Sequence, residues 1–174
     1  NYLAAIGTDG VLLPWDPNAS NTVHALTAIG STIYAGGSFT TLDGGGTVRN
    51  RLAAIGTDGV IQPWGPNAGS TVYSLAASGG TVYAGGMFTT LDGGTVRTYL
   101  AAIGTDGVLS PWDPVPDNIV YALTVSGGVV YAGGAFSTLD AGTVRNYLAA
   151  IGTDGVLSPW DPNAGGTVYA LAVS

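Results

Sequence analysis

The chain has no cysteine, no lysine and no glutamate, and its 174 residues include one glutamine, Gln62, and one histidine, His24. Each gap narrows the field. Without cysteine there is no thiol nucleophile, no thiolate metal site and no disulfide. Without Lys and Glu, and with one Gln, the straight-chain helix formers other than Leu and Ala are nearly gone. Four arginines stand against eleven aspartates, a net charge of -7. No basic patch can form on phosphates, which argues against nucleic acid and anionic membrane surfaces as partners. Charged residues make up 9% of the chain, against about 25% in an average domain. No apolar run reaches the ~18 residues of a membrane-spanning helix, so no membrane insertion is expected. No basic leader stands at the first residue.

What is abundant is glycine, 29 residues, with nine prolines and many Thr, Val and Tyr. That mixture suits short strands joined by tight turns. It is also periodic. LAAIGTDGV begins at Leu3, Leu52, Leu100 and Leu148, and YAGGxF begins at Tyr34, Tyr83 and Tyr131. PW recurs at Trp15, Trp64, Trp112 and Trp160, at spacings of 49, 48 and 48. A period in the forties fits propeller blades of about 40 to 50 residues; helical repeats of similar period are disfavoured by composition.

One unit, residues 71–118, reads as four strands. Thr71–Ala77 and Thr81–Ala84 are joined by Ser78-Gly79-Gly80, and the second strand runs on through Gly85-Gly86 to Phe88. Leu91–Gly94 is a loop, Tyr99–Ile103 a third strand, and Asp106-Gly107 a hairpin turn. Val108–Trp112 is a fourth strand, whose Pro111 suits an outer edge. Val72, Tyr73 and Leu75 do not sort onto one face, as expected for a sheet covered on both sides. The expected fold is therefore all-β: a β-propeller of four-stranded antiparallel blades, about 3.6 repeats of ~48 residues.

The motifs YAGGxF, LAAIGTDG and PWDPN, taken together, resemble the delta-60-type propeller repeats of large secreted bacterial proteins. The resemblance runs the length of the chain. It implies a propeller, an extracellular or cell-surface location, and no catalytic residues to carry over.

Residues 1–174 form one partial repeat domain, with units 1–22 (a half blade), 23–70, 71–118, 119–166 and 167–174. The chain opens on a third strand, closes on a first strand (Thr167–Val173), and has three YAGGxF strands against four LAAIG strands. The expectation is an incomplete ring: a piece of a longer repeat protein, or one completed by other copies of itself.

The candidate sites recur with the repeat. His24 aligns with Tyr73, Tyr121 and Tyr169, which reads as packing rather than catalysis or metal ligation. Asp9, Asp58, Asp106 and Asp154 belong to turns. Asp43, Asp92 and Asp140 sit in the LDGG or LDAG loop without EF-hand spacing; calcium on backbone carbonyls is the one cofactor chemistry left open there. Arg49, Arg97 and Arg145 precede each third strand, and an ion pair with those loop aspartates is expected. Near-identical carboxylates cannot supply the two unlike environments that acid–base hydrolysis needs, so no enzyme is expected. Trp15, Trp64, Trp112 and Trp160, with Asp16, Asp113 and Asp161 beside three of them, can be read as blade anchors or as a sugar-stacking set. The segment after each tryptophan varies most, and loops on a rigid scaffold are where binding differences are placed. Asn18-Ala19-Ser20 is a lone glycosylation sequon. The leading expectation is a structural, adhesion or assembly module; the alternative is a glycan-binding propeller.

Overall fold

The computed structural model describes residues 2–173, and they are all-β apart from one short 3-10 turn, Asp43–Gly45. The first complete unit contributes β1 (Val23–Ile29), β2 (Thr32–Gly37), β3 (Thr41–Leu42), β4 (Thr47–Val48) and β5 (Leu52–Gly56). The second repeats this as β6 (Val72–Ser78), β7 (Thr81–Gly86), β8 (Thr90–Leu91), β9 (Thr95–Val96) and β10 (Leu100–Gly104). The third gives β11 (Val120–Ser126), β12 (Val129–Gly134), β13 (Thr138–Leu139), β14 (Thr143–Val144) and β15 (Leu148–Gly152).

Each unit builds a three-stranded antiparallel sheet, β1-β2-β5, β6-β7-β10 or β11-β12-β15, and a two-stranded ribbon. The ribbon is the segment read as a loop: Leu91 pairs Thr95, and Gly93 and Gly94 turn the chain at positive φ. The expected fourth strand is a stub. Ile103 makes a single bridge to Leu109, and Ser110 N donates to Ala102 O. The next residue is Pro111, which has no N–H to extend the ladder. Four full strands per unit is therefore corrected to three and a stub.

The first strand of each sheet carries a bulge, with register shifts at Val23/Ala25, Val72/Ser74 and Val120/Ala122. The skipped residues are His24, Tyr73 and Tyr121. Opposite the bulge, at Val72↔Gly86, the glycine lets the strands approach so closely that a Cβ there would lie 2.3 Å from Thr71 O. Gly37 and Gly134 repeat this approach.

The sheets stack face to face. β6 lies against β1 on one side and β11 on the other. One core joins Tyr34, Leu52 and Trp64 of one unit to Val72, Val82, Ala84 and Ile103 of the next. The same set recurs one unit on, with Tyr83, Leu100 and Trp112 against Val120, Val130, Ala132 and Ile151. Phe39, Phe88 and Phe136 are fully buried; each such side chain contributes about 1.5–3 kcal/mol.

Two expected strands do not form. Thr167–Val173 and the opening LAAIG at Leu3–Gly7 have no ladder; the latter makes only the bridge Ile6–Leu12. In the complete units both kinds of strand pair with a YAGG strand, and neither segment has one beside it.

Candidate functional site

The recurring chemical centre is the junction between units, built around the tryptophans. Each TDG turn is locked by its aspartate: Asp58, Asp106 and Asp154 Oδ1 each accept from the N–H two residues on, at 3.0 Å. The following glycine has positive φ, between 86° and 91° at Gly59, Gly107 and Gly155. These turns receive the indole of the preceding unit. Trp15 Nε1 donates to Gly56 O at 3.0 Å, Trp64 to Gly104 O at 2.8 Å, and Trp112 to Gly152 O at 2.8 Å. A tyrosine of the same unit meets each later indole edge-on, Tyr34 on Trp64 at 4.9 Å and Tyr83 on Trp112 at 5.2 Å. Burial pushes the Tyr34 and Tyr83 hydroxyls up from their ordinary pKa.

Trp15, Trp64 and Trp112 are buried, at 8%, 6% and 5% exposure. Trp160 differs. It keeps its partner Tyr131, at 5.6 Å and 88°, but is 44% exposed, and among the described residues no acceptor faces its Nε1.

The arginines hold the strand ends. Arg97 Nη2 donates to Ser110 O at 3.0 Å and Nη1 to Val96 O at 2.9 Å; Arg49 and Arg145 repeat both contacts. Their acidic partners are not the expected ones. Arg97 pairs with Asp113 at 3.3 Å and Arg145 with Asp161 at 3.9 Å. Asp92 and Asp140 form no ion pair among the described residues; like Asp43 they are exposed, at the ribbon turn with φ of 49–55°. The sheet brings the arginine beside the PWD turn, because the stub folds back along the third strand that the arginine precedes. In the first complete unit Gly65 replaces the aspartate, and an added Cβ there would lie 2.8 Å from Arg49 Cδ. Asp16 Oδ1 accepts from Asn18 N at 3.1 Å.

The variable segment after the tryptophan is tied down differently in each unit. Ser20 Oγ accepts from Thr40 N and Thr41 N, both at 3.1 Å. Asp117 does the same work with Ser137 N at 2.8 Å, Ser137 Oγ at 2.6 Å and Thr138 N at 3.1 Å. Burial pushes the Asp117 pKa up, but the Ser137 and Thr138 hydrogen bonds outweigh it and hold the carboxyl below its ordinary value. Gly69 has no side chain and keeps only the backbone bond common to the three copies: Ser20, Gly69 and Asp117 N donate to Thr41, Thr90 and Thr138 O. These residues close the ribbon onto the preceding turn. Aligning the copies could have flagged the position, but not its partner.

His24 heads a column of rings on the bulges. It meets Tyr73 at 5.3 Å, Tyr73 meets Tyr121 at 5.4 Å, and Tyr121 meets Tyr169 at 5.0 Å. His24 Nε2 also bonds Ser38 Oγ at 3.2 Å. Clefts of about 460 and 390 Å³ open beside Trp64 and Trp112, lined by Asp106 and Gly107 in one and Asp154 and Gly155 in the other. Among the described residues no three His, Asp or Glu side chains converge as a metal-binding group, and no helix is long and apolar enough to cross a membrane.

No family model and no curated protein matches the chain. Among solved structures it is similar to the computationally designed Ika4 protein, with a TM-score of 0.63 over 91% of this chain and 84% of that one, at 15% identity. That likeness concerns the fold alone: an all-β repeat. The computationally designed Ika8 protein aligns over 93% of this chain and 67% of that one, at 16% identity and a TM-score of 0.37.

Proposed function

We propose that the chain is an arc of a β-propeller whose units are blades, and that it serves as a non-enzymatic scaffold, adhesion or assembly module outside the cell. One observation carries the reading. The residues that looked like chemistry are engaged in joining units: three indoles donate to the next unit's glycine carbonyl within 2.8–3.0 Å, and the TDG carboxylates lock the turns that receive them. The two ends of the stack keep the same apolar residues uncovered, which supports association with further repeats or further copies. The extracellular placement rests on the resemblance to secreted delta-60-type repeats.

Light scattering on purified protein tests it. The expected particle is a multiple of the 17.3 kDa chain, and a glycan array is expected to return no binder. A stably folded monomer sinks the assembly reading.

A second reading keeps one specific support. Trp160 is half-exposed beside Asp161, a pairing suited to stacking a sugar and accepting its hydroxyls. Glycan binding that disappears in Trp160→Ala but survives in Trp64→Phe is the outcome that replaces the first reading with this one.

A further inference from the structure

The cleft beside Trp64 lies between two complete units, so both of its walls are interior to the stack. The first complete unit supplies Tyr34, Gln62 and Gly65; the second supplies Asp92 and Asp106. Its volume is about 460 Å³, within the range of small-molecule sites. Tyr34 lines this cleft and is 3% exposed, and its hydroxyl has no hydrogen-bond partner among the described residues. A buried hydroxyl without a protein partner calls for another group to meet it.

The next junction shows that stacking does not require this arrangement. There the cleft beside Trp112 is about 390 Å³, takes in Asp113 and does not include Tyr83, yet Trp112 makes the same indole bond, to Gly152 O at 2.8 Å. Two exchanges between the copies set the clefts apart: Gly65 stands in the place of Asp113, and Gln62 in the place of Ser110. Gly65 leaves room where Asp113 is held by Arg97 at 3.3 Å. Gln62 Nε2 donates to Val60 O at 3.2 Å, which leaves Oε1 to accept from a ligand.

Charge selects the ligand. Asp106 Oδ1 accepts from Val108 N at 3.0 Å, which leaves Oδ2 for a ligand. Asp92 is exposed at its ribbon turn. Among the described residues no arginine lines the cleft, and the chain has no lysine and a net charge of -7. An anion would meet carboxylates and no cation to offset them. An alkylammonium group carries three N–H donors and no acceptor, and here it finds oxygen acceptors of both charged and neutral kinds, the charged ones giving the stronger bonds. Ala54 and Trp64 add apolar wall suited to a short alkyl stem. We propose that the Trp64 cleft is a binding site for a small organic ammonium ion, its charged group held by Tyr34, Gln62 and Asp106, with Asp92 adding negative potential. The site goes beyond the scaffold reading and stands or falls separately from it.

The test is a titration of n-butylammonium chloride into the isotope-labelled intact chain, followed by NMR at constant ionic strength. n-Butanol and sodium butyrate serve as the matched neutral and anionic probes. Saturable shifts are expected at the Trp64 indole N–H and the Gly65 and Gly107 amides, with the Trp112 indole N–H unmoved. Butanol and butyrate should give no saturable shift. Tyr34→Phe keeps the ring and removes the hydroxyl, and should weaken binding by about tenfold or more, the effect of one hydrogen bond to a charged group. Asp92→Asn changes an exposed turn position that asparagine tolerates, and should weaken binding about threefold; it keeps the test open if the buried variant does not fold. No saturable shift with butylammonium overturns the proposal. So does equal binding of the alcohol or the carboxylate, or full affinity in both variants. Equal shifts at Trp64 and Trp112 also overturn it, because they mean diffuse counterion binding to an acidic chain. The mass of the particle in solution bears on the scaffold reading and leaves this outcome unaffected.

Discussion

The interior junctions and the two ends of the stack are made of the same residues and behave differently. Trp112 is 5% exposed and Trp160 44%; Ile103 is fully buried and Ile6 is 68% exposed; Leu75 is 8% exposed and Leu26 51%. Propensity and local hydrogen bonding do not distinguish the members of each pair. The TDG turn at Asp9 is locked at 3.1 Å, as the later ones are at 3.0 Å. Only the neighbouring sheet differs. Side-chain burial here is a property of the stack, as expected where each repeat contacts only its neighbours.

The largest effect expected from this contrast is at the tryptophans. Trp112→Ala removes a buried indole and its bond to Gly152 O, and should destabilise by about 3–5 kcal/mol. Trp160→Ala should cost about 1 kcal/mol, the typical effect of a single substitution. Urea unfolding of both variants measures the difference. Equal losses would mean that Trp160 is covered in solution. Next comes the isoleucine pair: Ile103→Ala should cost about 2–5 kcal/mol, and Ile6→Ala should stay within about 0.5 kcal/mol.

A smaller effect has the opposite sign. Val115 has φ of 44°, where two of the other three copies place Asn18 at 43° and Asn163 at 50°; Asn67 is not in that region. A β-branched residue is poorly suited to the left-handed region, and asparagine tolerates it. Val115→Asn should therefore stabilise by about 1 kcal/mol, read as a raised midpoint in thermal unfolding. No gain would mean that the third junction needs the valine for packing.

The smallest effect is a pH dependence confined to the third unit. In the folded chain the Asp117 carboxyl holds its proton less readily than in the unfolded chain. Its contribution is present above its unfolded pKa of about 3.9 and is lost as pH falls through its lower folded pKa. Asp117→Ser installs the chemistry of Ser20, which has no charge to titrate. The acid limb of stability against pH should become shallower in that variant. An unchanged limb would assign it to the other carboxylates.

Much of this was legible from the residues. The period, the strand order within a unit and the Asp-Gly turns are local features, repeated often enough to be read from their spacing. The exchanges of His24 with tyrosine and of Asp16 with Gly65 read as packing and turn positions in the sequence itself. Besides the two end strands that did not form, three readings needed correction, each for a physical reason. The fourth strand shrank to a stub because Pro111 ends the ladder. The LDGG loop became the tip of a ribbon because Leu91 and Thr95 find each other across Gly93 and Gly94. The arginines took Asp113 and Asp161 as partners because antiparallel pairing brings the PWD turn to them.

By itself the sequence determined that this protein is β, repetitive and poor in charge, since composition and period act over short stretches of chain. Which indoles are buried and which carboxylate meets which arginine were decided only by tertiary structure. Those depend on what lies across the gap between sheets, and four copies of one motif cannot encode that one of them has a neighbour and another has none.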